Sequence, residues 1–255
     1  MIASQSRSTK LGGALLLGAL LAAWQVMAAY WTDSPSWPPL TAIAASLVAA
    51  LRSGELPAAF GQTVYVMVVG YAIGVAGAIV LGLAMAKLRA ARAVLNPWVE
   101  LLRPIPISAM VPPLILLLGL DDALKIFAVG FSVFFPVLVN TVAGVRAIDP
   151  VAIDVGRTLR VGRLAMVRSV LLPATLPYIL AGMRISLPLA LIVAVTAEMI
   201  SGSAGIGYYL ITMQYAMRPA DMYAAVFLLA FLGYVLNAAF LMVERRLLHW
   251  YHVTP

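Results

Sequence analysis

The chain has 255 residues, of which 63% are hydrophobic and 11% charged, against about 45–50% and about 25% in an ordinary soluble domain. With a mean hydropathy of +0.99, its 17 basic and 10 acidic side chains cannot cover a water-facing surface, so the bilayer is the expected solvent. The net charge of +7 does not point to nucleic acid, because the basic residues are scattered in small groups between apolar runs and form no dense patch. Cysteine is absent, which excludes disulfides, a thiol nucleophile and a cysteine metal site.

The first apolar run, near 11–31, is long enough to cross about 30 Å of hydrocarbon. Arg7 and Lys10 ahead of it and Met27-Ala28-Ala29 behind also fit a cleavable signal peptide. Trp24, Tyr30 and Trp31 favour a retained span anchored at the outer interface. The stretch 32–39 carries Pro35, Pro38 and Pro39 and predicts an external loop. Residues 41–52 have one apolar face and end at Arg52, as in a helix lying on the outer leaflet or packing on the spans.

A second run covers 60–86 and a third 97–118. The third holds Arg103-Pro104-Ile105-Pro106 and Pro112-Pro113; each proline removes a backbone donor and frees a carbonyl that lipid cannot satisfy. Such a segment is either buried against protein or a polar pathway, or an ordinary kinked helix. Glu100, three residues before Arg103, is expected to neutralise it at the cytoplasmic interface. The fourth run is 123–145.

Between the fourth and fifth runs lies the longest basic loop, 146–174. Asp149-Pro150 reads as an N-cap followed by proline at the first helical position. Val151, Val155 and Leu159 then recur four apart on one face, Gly162 interrupts, and a second amphipathic helix from Arg163 is expected to stop at Pro173 and Pro177. Two short helices joined at a bend make a docking knob for a soluble partner; a basic loop lying on anionic headgroups is the alternative. The fifth run, 175–200, ends at Glu198 beside Ser201-Gly202-Ser203. A carboxylate there is expensive if buried, so gating or packing, a solvated helix end, and proton coupling are its open readings. Arg184 in the same run is expected to snorkel. The sixth run is 223–245, and His249 and His252 fall in a wet tail rather than a metal site.

Six spans place both termini on one side. Sorted by alternating loops, only Arg52, Lys125 and Arg218 fall on one face and the other 14 of the 17 Lys and Arg residues on the opposite face. The positive-inside rule then puts the termini and the 146–174 loop in the cytosol. The three lysines, Lys10, Lys87 and Lys125, have no phosphate-loop context, so any ATP must bind to another chain.

Asp154-Val155-Gly156-Arg157-Thr158-Leu159-Arg160 followed by Val170-Leu171-Leu172-Pro173 resembles the E-A-A-x-x-x-G loop, with its later I-x-L-P, of ABC importer permeases. Arg160 stands at the family's glycine, which is expected to move the bend to Gly162. Ser53-Gly54-Glu55-Leu56, Leu102-Arg103-Pro104-Ile105-Pro106 with Ala109 and Pro112, Lys125-Ile126, and Ala197-Glu198-Met199-Ile200 running to Gly205-Ile206-Gly207-Tyr208 are similar to the nitrate, alkanesulfonate and taurine branch. The resemblance spans about 53–246. It implies a type I permease in the bacterial inner membrane, a homodimer served by a cytosolic ATPase subunit and a periplasmic substrate-binding protein.

The expected architecture is an all-α polytopic membrane protein: an N-terminal span and interfacial segment (1–58), a permease domain (59–247) and a cytoplasmic tail (248–255). The expected function is translocation of a small anion, an alkanesulfonate, taurine or nitrate, with a vitamin-precursor pyrimidine as the alternative solute. The resemblance implies ATPase coupling through Asp154, Val155, Gly156, Arg157, Arg160, Gly162, Leu172 and Pro173. Arg103, Pro104, Pro106, Pro112 and Glu198 are the candidates for a pathway or gate. No cofactor, metal or catalytic residue is expected. The rivals are an ion-coupled secondary transporter, for which one carboxylate and no intramembrane histidine leave little coupling chemistry, and a non-transporting membrane anchor.

Overall fold

A computed structural model describes residues 2–31 and 34–250; His252 lies outside them, as do the side chains of Arg7, Lys10, Arg157 and Arg163. Every regular element among the described residues is helical. In chain order these are α1 (Ile2–Tyr30), α2 (Leu40–Ser53), α3 (Glu55–Lys87), α4 (Arg89–Leu102), α5 (Ile107–Leu118), α6 (Asp122–Arg146), α7 (Pro150–Thr158), α8 (Arg163–Met166), α9 (Leu172–Ser201), α10 (Ile206–Tyr215) and α11 (Pro219–Leu247).

Helices α3, α6 and α11, and α9 with the turn that precedes it, are each long and apolar enough to cross a bilayer. The expected third span is broken: α4 and α5 meet at 101° across Arg103-Pro104-Ile105-Pro106. Neither proline can donate to a helical ladder, and Ile105 N–H closes only a tight turn onto Leu102 O at 3.2 Å. The apolar part of α1 is Leu15–Tyr30.

The chain divides into two compact units, 1–59 with 209–229 and 60–208 with 230–255. In the first, Trp24 organises the end of α1. Its indole N–H donates to Pro38 O at 3.1 Å, and its ring stands 5.6 Å from Trp37 and 5.7 Å from Tyr223. Gln25 pairs with Thr41 through backbone and side chain. Tyr30 and Trp31 remain exposed, as interfacial anchors would, whereas Trp24 is drawn into the cluster. The α2 helix forms as expected and ends at Gly54, in the left-handed conformation.

In the second unit α3, α6 and α9 share a core of Val66, Met67, Val75, Val129, Val133, Val137, Leu138, Val193 and Ala194. Lipid supplies no hydrophobic drive between helices, so close backbone approach does the work. A β-carbon on Gly74 would strike the Gly130 carbonyl, and one on Gly182 the backbone at Val137. Small residues therefore set the α3–α6 and α6–α9 spacing.

Helix α9 does not begin at Pro173. Residues Val167–Leu171 form a π-helical turn joining α8 to α9, with Leu172 N–H donating to Val167 O. Pro173 sits in the first turn of α9, where a missing donor costs nothing. The widened turn thus carries the chain past the proline that was expected to end the helix.

Candidate functional sites

Three places carry the residues singled out in the sequence. In the 146–174 segment, Asp149 caps α7: its Oδ1 accepts from Val151 N–H at 2.8 Å, as the Asp-Pro pair predicts. The far end of α7 closes as a Schellman turn, with Val161 N–H donating to Gly156 O at 2.9 Å and Arg160 in the left-handed conformation at φ 52°. The bend therefore stays at Arg160 and has not moved to Gly162, whose φ is not positive and whose surroundings are open.

This geometry separates the loop residues by direction. Val151, Val155 and Leu159 are exposed, with 64%, 51% and 71% of their surface free, and with Asp154 and Thr158 they line a shallow groove. Gly156 points the other way: it is buried, and a β-carbon there would run into Met166. Its small size serves the packing of α7 on α8 rather than an outer surface. Leu172 is half-exposed.

The second place is the end of α9. Glu198 is fully buried, which removes the solvated reading. Its Oε2 accepts from Thr63 Oγ1 and from Gly207 N–H, each at 2.9 Å, and Thr63 Oγ1 in turn accepts from Ile206 N–H at 2.8 Å. A carboxylate thus caps the first turn of α10, where free N–H groups favour negative charge. Gly205, at φ 117°, is required by the cap, because a β-carbon would overlap the Glu198 carboxyl group. Close by, Lys125 is 1% exposed, donates to Ala204 O at 3.0 Å and lies 3.6 Å from Asp122. Gln62 donates to that same carboxylate. Thr63 and Lys125 were not among the predicted site residues; Lys125 reads from sequence as an outer-loop base, and its burial has no local signature.

The third place is the bend between α4 and α5. Arg103 lines a pocket of about 220 Å³ with Ile107, Phe131, Ser132, Phe135 and Leu189. The expected Glu100–Arg103 pair is absent; Glu100 instead accepts from Asn96 Nδ2, since i,i+4 neighbours share a helix face while the helix ends before Arg103. Pro104 and Pro106 form the bend, and Pro112 lies inside α5. Arg103 and Glu198 therefore occupy different sites. Arg184 meets Glu244 at 3.7 Å.

Comparison with known proteins bears on the family and the fold. Residues 78–249 match the family model described as the binding-protein-dependent transport system inner membrane component. The Bacillus subtilis (strain 168) protein named as an aliphatic sulfonates transport permease, SsuC, is 30% identical over 93% of this chain and 87% of its own length. The taurine transport system permease protein TauC of Escherichia coli K12 is 27% identical over 92% and 88%. Among solved structures, the inward-facing MetNI methionine ABC transporter superposes with a TM-score of 0.64 at 21% identity, covering 77% of this chain and 97% of that one; at that identity the likeness concerns the fold.

Proposed function

The chain belongs to the inner-membrane components of binding-protein-dependent transport systems, and from that premise we propose that it forms, with a second copy of itself, the path by which an ABC importer moves a small anion into the cytosol. As a permease subunit of an ABC importer it is a multi-pass membrane protein and not an enzyme. ATP hydrolysis then falls to a cytosolic partner, and delivery of solute to a periplasmic binding protein.

The observation that carries the coupling is the exposed apolar row of Val151, Val155 and Leu159 on a short helix with both ends fixed. An apolar face left in water invites a partner, and a helix capped by Asp149 and closed at Arg160 can transmit a push. In this reading Asp154 and Arg157 supply charged contacts, Gly156 lets α7 pack on α8, and the π turn ahead of Leu172 and Pro173 passes the motion into α9. Arg103, Pro104, Pro106 and Pro112 shape the pathway at the broken span. Glu198 locks the outer end of α9 to α10, so that the two move together when access alternates.

The names of the relatives, sulfonate and taurine permeases, support a sulfonate or similar small anion over a pyrimidine. Deleting the gene should abolish growth on the cognate sulfonate as sole sulfur source and leave growth on sulfate intact. Undiminished growth on every sulfonate tested rejects the preferred solute class.

A further inference from the structure

The Arg103 pocket has three properties that together specify a ligand. The first is depth. Ser132 lies ten residues from one end of α6 and fourteen from the other, roughly 15 and 21 Å at 1.5 Å per residue. Leu189 is similarly placed, roughly 18 Å from the Ser201 end of α9 and 25 Å from its start. The bend thus carries Arg103 to the middle of the hydrocarbon layer, where lipid headgroups do not reach.

The second is charge. Among the described residues no carboxylate pairs with Arg103 and no hydrogen bond is made to its guanidinium. A guanidinium cannot shed its proton, and at this depth a cation without a counter-ion marks an ion path. Ser132 adds a hydroxyl on the same wall.

The third is the neighbour. Phe131 and Phe135 also border an open apolar groove of about 680 Å³, whose other walls include Trp98, Phe127 and Phe134 and which no charged side chain lines. A charged cup opening beside an apolar groove suits a molecule with one anionic end and one hydrocarbon end. Taurine is a poorer fit, because its ammonium would enter a wall without a carboxylate. Nitrate would leave the apolar groove unused.

Resting on the importer reading above, we infer that Arg103 and Ser132 form an intramembrane subsite for the head of an alkyl monoanion, with its tail among Trp98, Phe127 and Phe134. The subsite prefers alkanesulfonates to taurine and to inorganic anions. Its volume, below the roughly 300–1,000 Å³ of drug-sized pockets, suits a single small head group.

The absence of native cysteine permits a direct test. The purified permease complex carrying Ser132→Cys, in phosphatidylcholine nanodiscs that contain no anionic lipid, is treated with sulfonatoethyl and trimethylammonioethyl methanethiosulfonate. Pocket charge should make the sulfonated reagent react at least about tenfold faster. Arg103→Gln should bring the ratio to about one, and Arg103→Lys should keep most of it. Butanesulfonate should protect better than methanesulfonate, and both better than taurine or nitrate. Ile105→Cys, on the same pocket, serves if Ser132→Cys does not accumulate. The inference is overturned by a ratio that ignores Arg103, by equal protection from every anion, or by a thiol that neither reagent reaches. Because labelling needs no ATP turnover, loss of transport with these preferences intact would count against the importer reading and not against the subsite.

Discussion

Gly156 and Met166 meet across the turn joining α7 to α8: the thioether sulfur of Met166 lies 3.0 Å from where a β-carbon on Gly156 would stand, and its methyl group closer still. Size at position 156 is therefore sensed inside the loop before any partner arrives. Gly156→Trp should expel Met166 and misplace α7, at a cost of about 1–3 kcal/mol for overpacking. Gly156→Ala should lose less, and Met166→Ala should restore part of that loss. Thermal unfolding of the four chains of this double-mutant cycle reads the coupling; strictly additive effects would show that the two residues do not share the space.

Arg160 holds a left-handed backbone at φ 52°, which costs a residue with a β-carbon roughly 1–2 kcal/mol. Arg160→Gly should raise the thermal midpoint, offset in part by the greater freedom of glycine when unfolded. Arg160→Val, branched at Cβ, should lower it. A Gly variant no more stable than the Val variant would place the turn elsewhere.

The Glu198 cap predicts an order of severity. Thr63→Val removes a donor to the carboxylate and an acceptor for Ile206 N–H, each worth about 1–3 kcal/mol when a buried partner is left behind. Glu198→Ala should cost at least as much. Glu198→Gln keeps a carbonyl oxygen for Gly207 and Thr63 and should be the mildest. If Gln is as damaging as Ala in unfolding and in transport, the negative charge and not the cap is what α10 requires.

The parts legible in the sequence are those governed by local rules. Asp149-Pro150 announces the start of α7, the prolines at 35, 38 and 39 separate α1 from α2, and apolar length gives α3, α6, α9 and α11. Other features depend on which chain segment arrives from afar. Nothing near Lys125 tells that Ala204 will cover it, and nothing near Gly156 names Met166. Pro173 misleads for a different reason: the chain reaches it through a π turn, Val167–Leu171, that continues the helix into α9. Arg103 is displaced from the interface because two prolines turn the chain by 101° rather than merely kinking it.

Topology rests on the basic-residue asymmetry, which survives moving Arg103 into the membrane. Ser169→Cys should be shielded from an impermeant thiol reagent in intact cells and labelled after lysis, whereas Ser53→Cys should be labelled in both. The reverse pattern would invert the whole chain and remove the 146–174 segment from the cytosol.

The central claim is that the apolar face of α7 receives the ATPase. The complex purified from native membranes through this chain, with Val155→Asp and Leu159→Asp introduced together, provides the measurement. Both side chains are exposed, so the permease should remain inserted and as thermally stable as the native chain. The account predicts that the ATPase subunit no longer co-purifies and that solute-stimulated ATP hydrolysis is lost; normal retention of the ATPase with full stimulated hydrolysis would contradict it.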